Sequence, residues 1–407
     1  MPGGGATEQP PAMRAGALHV ALSYYGDAFD TLSGGVATGA AYQGRLGLIA
    51  DADLDTLLGW KGATAHLSVH QIHGPGITQD HVGALMGVSG IEAEPATRLF
   101  NLWVEQAIGS RFAIRVGQFT AGQEFFISSN AALFVNATFG WPAIVAQDLP
   151  SGGPAYPLAT PGVRLRFKPD ERTTILAAIF NGDPAGPGGG DPQRRDRDGF
   201  NSFTISGPPF LIGEVQRILG RSPASDPDTV IRLGGWVYLG KVDDQRRDNL
   251  GGLLADPGST GIPARLQGDT GVYGIVDQVL MRSKGRELGA FVRAAASQSD
   301  RNLVDLYADA GLTWKGAIRG RADDIAGIAI GYSRISAANR ARDLDAQRLV
   351  DPSLPIRDRE LVFELTYQAR VDAHWSVQPD LQYFVHPGGS AALPDAAVAG
   401  IRNIVRF

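Results

Sequence analysis

Polar and charged side chains recur at every second position in several stretches of this sequence. Asn101, Trp103 and Glu105, for example, are separated by single apolar residues. Guanidinium forks, carboxylates and amides together donate and accept hydrogen bonds, and an indole ring packs against C–H groups. This mixture suits a neutral, hydroxyl-rich ligand, whereas an anion-selective site would use basic residues almost alone. The candidate binding residues are Trp103, Glu105, Arg115, Glu124, Arg293, His66, Glu214, Asp309, Glu364, Asp380, Gln382 and Arg402.

Patterns for catalysis or metal binding are weaker. His66 and Ser68 share one face of a predicted strand, so a hydrolytic Ser–His pair stays open as an alternative. His66 and His70 would lie about 13 Å apart on that strand, too far to share one metal ion. Neither a GxSxG nor an HExxH motif occurs, and Asp196–Gly199 matches only part of a calcium loop. The sequence therefore predicts a protein that is not an enzyme and carries no cofactor or metal.

Strands must position these side chains, because strict alternation of apolar and polar residues predicts a β-strand with one face of each kind. The alternation is clearest in Leu361–Arg370 and Ser376–Val385. Sixteen such segments occur, from about 17–26 to about 396–407. The last three have about ten to thirteen residues, enough to cross a bilayer at a tilt, whereas strands of soluble proteins usually have about five or six.

The connections between these segments differ in length on the two sides. After even-numbered segments they are mostly short turns, although 51–61 is predicted to contain a short helix. After odd-numbered segments most are long: 74–95, 120–160, 182–209, 241–269 and 337–358. Short turns on one side and long loops on the other are typical of outer-membrane barrels. The loop 120–160 is rich in aromatic residues, so we expect it to fold into the lumen and narrow the pore. Pro379 interrupts the fifteenth segment and predicts a β-bulge there.

Composition excludes several other classes of protein. No apolar run approaches the roughly twenty residues of a membrane helix. The net charge of −5 offers no basic surface for nucleic acid. Cysteine is absent, so disulfides and thiolate chemistry are excluded. Residues 1–16 lack the pattern of a signal peptide and are predicted to form a flexible N-terminal segment of a single domain, 1–407.

Five stretches resemble the carbohydrate-selective porins of the OprB family and occur in the family's order. They are Arg98–Gln106, Val116–Phe126, Ile179–Pro184, Val276–Leu280 and Glu360–Arg402. The resemblance implies a sixteen-stranded antiparallel transmembrane β-barrel in the outer membrane of a Gram-negative bacterium. It further implies passive diffusion of sugars, monosaccharides such as glucose, into the periplasm.

The resemblance also sets the expected partners and the alternatives. Small sugars, outer-membrane lipids and lipopolysaccharide are the expected partners, and the protein is expected to be a monomer or a trimer. A general diffusion porin without sugar preference is the main alternative. A barrel enzyme and a soluble all-β binding protein are the others.

Overall fold

The computed structural model describes residues 16–200, 207–220, 224 and 226–407. Within these residues, sixteen strands form one closed antiparallel barrel in which each strand pairs with its sequence neighbours and the first pairs with the last. Closure gives every strand a partner on both sides, which a chain needs where no water can satisfy the backbone. The predicted sixteen-stranded barrel is confirmed. The prediction for the N-terminal segment falls on residues 1–15, outside the described part.

The strands are β1 (Leu18–Ser33), β2 (Gly39–Asp53), β3 (Ala63–His73), β4 (Ala96–Ile108), β5 (Phe112–Phe119), β6 (Thr160–Asp170), β7 (Thr173–Asn181), β8 (Pro209–Leu219), β9 (Thr229–Asp248), β10 (Pro263–Ser283), β11 (Arg286–Ser297), β12 (Val304–Lys315), β13 (Ile325–Ile335), β14 (Arg359–Arg370), β15 (Trp375–Val385) and β16 (Ala396–Arg406). The helices are α1 (Leu54–Leu58), α2 (Ala143–Ala146), α3 (Pro192–Arg195) and α4 (Ala337–Leu349). In the described part of the chain, none of the helices is both long and apolar enough to cross a membrane.

The short helix predicted within 51–61 is confirmed as α1. Its N-terminus is capped by Asp53, whose Oδ1 accepts a hydrogen bond from the backbone N–H of Asp55 at 3.0 Å. Such a cap satisfies a donor that has no partner inside the helix. The helix closes the β2–β3 connection, whereas the connections after β4, β6, β10 and β14 are tighter turns.

The two faces of β15 separate as the alternation predicts. On β15, Gln378, Asp380 and Gln382 are buried, while Leu381 and Tyr383 are 52 % and 45 % exposed. Large apolar side chains in water would cost about 25 cal/mol for each Å² of exposed surface. An outward apolar band is instead suited to the acyl chains of a bilayer.

A β-bulge lies in β4 and reverses the predicted direction of Phe100. Ser68 of β3 pairs with Asn101, but the next pair is Val69 with Leu99, so Phe100 is the extra residue. An extra residue shifts the side-chain alternation. The alternation that places Asn101, Trp103 and Glu105 on the inner face predicts that Phe100 faces outward. This prediction is wrong: Phe100 is fully buried, and its ring stacks on His70 with centroids 4.5 Å apart.

The bulge predicted at Pro379 does not occur. Pro379 pairs with Ile401 of β16, and the register continues without a shift on either side of it. On the β14 side, the pairs Thr366–Asp380 and Ala369–Val377 keep one register around the proline. Because Pro379 has no backbone N–H, it cannot donate to the hydrogen-bond ladder between the strands, but no extra residue is inserted there.

The loop predicted at 241–269 is largely strand. β9 continues to Asp248 and β10 starts at Pro263, so the two form a hairpin of 20 and 21 residues that exceeds the length needed to cross a bilayer. Both faces of this extension are polar, so its sequence lacks the alternation of apolar and polar residues that predicts a strand. Arg246 of the extension donates to Asp345 of α4 at 2.6 and 3.0 Å. The hairpin and α4 thus support each other at this end of the barrel.

The loop 120–160 fills the centre of the barrel, as predicted. Phe125, Phe126, Phe134 and Phe139 of this loop are 0–2 % exposed and pack against inward side chains of the wall. The loop 74–95 also lies inside, with Met86 and Val88 buried in the same cluster. The core of this protein is therefore formed by two inserted loops and the inner wall.

Candidate pore constriction

Three arginines and two glutamates form a connected cluster on one side of the lumen, which we call the Arg115 cluster: Glu105, Arg115, Glu124, Arg164 and Arg166. Glu105 Oε2 lies 2.8 Å from Nη2 of Arg115 and 2.8 Å from Nη2 of Arg164. Glu105 Oε1 lies 3.0 Å from Nη2 of Arg166. Glu124 Oε2 accepts from Nε of Arg164 at 3.0 Å, and Glu124 also contacts Arg115. Charge-assisted pairs of this kind fix the side chains in place, and the cluster keeps one net positive charge.

Neighbouring strands bring the cluster together. Glu105 of β4 pairs with Arg115 of β5, and Arg115 pairs with Arg164 of β6. Two arginines directly opposite each other repel, so they need a carboxylate on each side. Glu105 supplies one from the wall and Glu124 supplies the other from the inserted loop. The loop therefore completes the electrostatics of the wall.

Trp103 lies between two other side chains. The guanidinium carbon of Arg115 is 3.5 Å from the centroid of its ring, and the His66 ring stacks on it with centroids 5.0 Å apart. β3 and β5 flank β4 on opposite sides, so His66 and Arg115 cover opposite faces of the indole. Nδ1 of His66 lies 2.7 Å from Oδ1 of Asp51, which holds the imidazole in place. Trp103 positions Arg115, and neither of its faces is open to a ligand.

Access to the cluster differs between its members. The side chains of Arg115, Glu105 and Glu124 are 11–13 % exposed, and that of Arg164 is 3 % exposed. Arg166 keeps 35 % of its side chain exposed, the largest share in the cluster. Arg166 is therefore the member of the cluster most accessible to a passing molecule.

The other predicted binding residues hold the inserted loops. Arg293 donates to the carbonyl oxygens of Phe126 and Thr138, both at 3.0 Å, and pairs with Asp309. Glu214 accepts from the backbone N–H of Phe126 at 3.3 Å. These three wall residues are almost completely buried.

Carboxylates on β14 bind pairs of consecutive backbone N–H groups. Glu364 accepts from Val135 at 2.6 Å and from Asn136 at 3.0 Å. Glu360 accepts from Leu85 at 2.8 Å and from Met86 at 2.7 Å. Both oxygens of each carboxylate are therefore used, which makes these groups strong anchors for the two loops.

The remaining predicted residues complete this buried network. Gln382 donates to the carbonyl of Val88 and to Oδ1 of Asp380, both at 2.9 Å. Arg402 pairs with Asp27. Of the twelve predicted residues, the structure brings His66, Trp103, Glu105, Arg115 and Glu124 together. It places Glu214, Arg293, Asp309, Glu364, Asp380, Gln382 and Arg402 away from them, in contacts with loops and neighbouring strands.

Sequence reasoning missed Arg164, Arg166 and Asp51. Arg164 and Arg166 occupy the polar positions of the sixth predicted segment, so the alternation could have identified both. Asp51 was assigned to the connection 51–61, but it lies on β2 and pairs with His66. The cluster can donate and accept hydrogen bonds at fixed positions, which suits the passage of a polar, uncharged molecule.

Comparisons with known proteins agree with this architecture. The family described as carbohydrate-selective porin, OprB family, matches residues 37–407. Porin B of Pseudomonas aeruginosa is 26 % identical over 412 residues, covering 94 % of this chain and 86 % of that protein.

Solved structures show the same fold. The high-pH structure of Pseudomonas putida OprB superposes with a TM-score of 0.83 at 21 % identity, covering 96 % of this chain and 94 % of that chain. The outer-membrane channel DcaP of Acinetobacter baumannii has a TM-score of 0.53 at 10 % identity, covering 96 % and 97 %. At these identities the superpositions establish the barrel alone, but the family match spans most of the sequence. The chain therefore belongs to the carbohydrate-selective porin family, OprB, and is a β-barrel of the bacterial outer membrane.

Proposed function

We propose that this barrel lets small sugars, such as the monosaccharide glucose, diffuse passively into the periplasm past the Arg115 cluster. The observation that carries the proposal is the cluster itself, in which three guanidinium groups pair with two carboxylates, one of them Glu124 from the start of the inserted loop. Sugar hydroxyls both donate and accept hydrogen bonds, so they can exchange water for these groups without a charge of their own. Membership of the carbohydrate-selective family supports the choice of sugar.

The mechanism is diffusion down a gradient past a weak site. The side chains of the cluster are already held by one another, so little conformational entropy is lost when a sugar contacts them. Binding must be favourable enough to admit the sugar and loose enough to release it. Arg166, the most exposed member, is the donor that a sugar meets, and Glu105 beside it is the acceptor.

General diffusion without sugar preference is the second candidate, and one observation favours it. Both faces of Trp103 are covered by His66 and Arg115, so this ring cannot stack on the C–H face of a sugar. A constriction that offers only charged groups would discriminate by size and charge.

Hydrolysis by a Ser–His pair has less support. The contact of His66 Nδ1 with Asp51 would suit a catalytic histidine, but the His66 ring is 3 % exposed and stacks on Trp103. Ser68 is fully buried, and its hydroxyl accepts from the backbone N–H of Asn101 at 3.2 Å. A substrate could not reach either side chain in this arrangement.

The test is single-channel conductance in a planar bilayer, titrated with glucose and then with phosphate. Saturable block by glucose without block by phosphate would support a sugar site. A current that glucose leaves unchanged would assign general diffusion. A protein that forms no channel would overturn both candidates.

A further inference from the structure

A cavity lies next to the Arg115 cluster, at Gln123 of the inserted loop. It has a volume of about 130 Å³ and is bounded mainly by the inserted loop 120–160, with one contribution from the loop 74–95. We call it the vestibule cavity. Its lining includes Gly122, Gln123, Trp141, Ala146 and Tyr156.

The vestibule cavity adjoins the constriction through the loop backbone. Gln123 lines the cavity, and the next residue, Glu124, belongs to the Arg115 cluster. Oε1 of Gln123 accepts from Nδ2 of Asn101 at 3.0 Å and from the hydroxyl of Thr120 at 3.0 Å. The cavity and the Arg115 cluster therefore use adjacent residues of the inserted loop.

Trp141 is held rigidly at the wall of the cavity. Its Nε1 donates to the carbonyl of Gly152 at 2.9 Å, and its ring meets that of Phe126 edge-on with centroids 5.6 Å apart. A Cβ added at Gly122 would lie 3.2 Å from a carbon of the indole, so the glycine allows a close approach. The indole stays partly exposed and faces the cavity with a fixed orientation.

Tyr156 adds a second fixed aromatic ring. Its hydroxyl donates to the carbonyl of Ile91 at 2.9 Å, and its ring is partly exposed at the cavity. Small residues such as Ala146 form much of the remaining wall, which leaves space in front of the two rings. The cavity thus combines aromatic surface with the amide of Gln123 at its edge.

We propose that the vestibule cavity is a hexose subsite, in which Trp141 stacks on the C–H face of a pyranose before the sugar passes the Arg115 cluster. This inference rests on the proposed function and deepens it. It supplies the aromatic face that Trp103 cannot offer, because that ring is covered on both sides. The cavity is smaller than the roughly 300–1,000 Å³ of sites that enclose a small molecule. The cavity therefore covers only one face of a sugar, which allows the sugar to leave again along the diffusion path.

The test compares glucose with mannitol, a linear polyol that has hydroxyls but no ring face. Block of the single-channel current is measured for wild type, Trp141→Leu and Trp141→Phe, each relative to its own sugar-free current. We expect Trp141→Leu to raise the half-blocking glucose concentration about 2- to 12-fold, the range of an aromatic stacking contact. Mannitol block should change little, and Trp141→Phe should keep most of the glucose block.

A second variant separates stacking from loop support. Ala146→Leu adds a side chain at the cavity wall and keeps Trp141, so it should also weaken glucose block. Glucose block that stays at the wild-type level in both Trp141→Leu and Ala146→Leu would overturn the subsite and leave the sugar channel standing. Wild-type current that glucose does not block would overturn the proposed function and the subsite with it.

Discussion

Arg402 on the last strand and Asp27 on the first form an ion pair across the closing seam of the barrel. The two residues are direct partners in the β1–β16 register. Nε and Nη2 of Arg402 lie 2.8 and 2.7 Å from the two oxygens of Asp27, and neither side chain is exposed. Ser89 of the inserted loop 74–95 binds both partners, donating to Asp27 at 2.6 Å and lying 3.0 Å from Arg402. The seam and the loop are thus fixed by one buried charge pair.

Removing one partner of this pair should destabilise the barrel strongly. Arg402→Met leaves the carboxylate of Asp27 buried without its cation, at a cost of about 3–5 kcal/mol. The temperature at which the folded band disappears on an unboiled SDS gel should fall. The double variant Arg402→Met with Asp27→Asn should recover much of the loss. Arg217→Met, which breaks an exposed pair with Asp170, is the control and should change little. A melting temperature unaffected by Arg402→Met would contradict the assignment.

Glu364→Gln should loosen the inserted loop and widen the pore. Glutamine keeps one acceptor oxygen, and its NH2 group would face the backbone N–H of either Val135 or Asn136, so one of the two anchoring hydrogen bonds is lost at a cost of about 1–3 kcal/mol. The single-channel conductance should rise, or the current trace should become noisier. Glu171→Gln, in the exposed turn between β6 and β7, is the matched control. Identical traces for the Glu364 variant and wild type would exclude this role.

Asp148 predicts a pH dependence of stability. This residue of the inserted loop accepts from the backbone N–H groups of Leu303 and Val304 at 2.8 and 3.2 Å, both through Oδ1. Oδ2 is buried with no hydrogen-bond partner among the described residues. Burial is the main cause that raises the pKa of Asp148 well above its usual 3.8, with a smaller contribution from nearby carboxylates. The carboxyl is therefore protonated in the folded state over a wider pH range than in the unfolded chain.

Because the pKa of Asp148 is raised in the folded state, stability should fall as the pH rises. A folded-state pKa above the unfolded value gives stability that is complete below pH 3.8 and is lost as the pH rises through the folded pKa. Asp148→Asn stays neutral, so its melting temperature relative to wild type should increase as the pH is raised from about 4. Asp323→Asn, at a side chain that is 64 % exposed, is the control and should lack this trend. A constant difference between Asp148→Asn and wild type at every pH would refute the prediction.

Arg115→Ala should widen the constriction and weaken glucose block. The variant removes the guanidinium that links Glu105 to Glu124, while Arg164 still bridges the same two carboxylates and keeps them paired. Conductance and half-blocking glucose concentration should both rise. Arg217→Ala is the control, because Arg217 is exposed and pairs with Asp170 rather than with a member of the Arg115 cluster. Unchanged conductance together with unchanged block would remove Arg115 from the constriction.

Trp103→Leu should act through Arg115. Without the indole, Arg115 loses the ring on which its guanidinium lies at 3.5 Å, so its position becomes less defined. We expect sugar block to weaken less than in Arg115→Ala, because the charge remains. Block that falls further than in Arg115→Ala would mean that Trp103 contacts the sugar itself.

The sequence predicts the barrel well because local alternation determines which side chain faces inward. Glu364 and Arg115 were both assigned to the inner face, and both lie there. Alternation does not tell what an inward side chain meets, since that depends on residues far away in the chain. Glu364 binds the backbone of Val135, 229 residues earlier, and only the path of the inserted loop creates this contact.

Local irregularities limited the prediction in a different way. Proline at position 379 indicated a bulge by its missing N–H, yet the strand tolerates it in register. The bulge at Phe100 has no such mark in the local sequence, and the extra residue packs against His70 on another strand. The polar extension of β9 has no apolar face, so no period of two marks it as a strand.

The anchors on β14 have an evolutionary consequence. Glu360 and Glu364 hold the two loops by main-chain N–H groups, at Leu85, Met86, Val135 and Asn136. Every amino acid except proline carries this donor. Side chains at these points can therefore diverge between relatives while the loops keep their path. Selection can thus change the side chains that line the lumen for a new solute without changing the contacts that hold the two inserted loops.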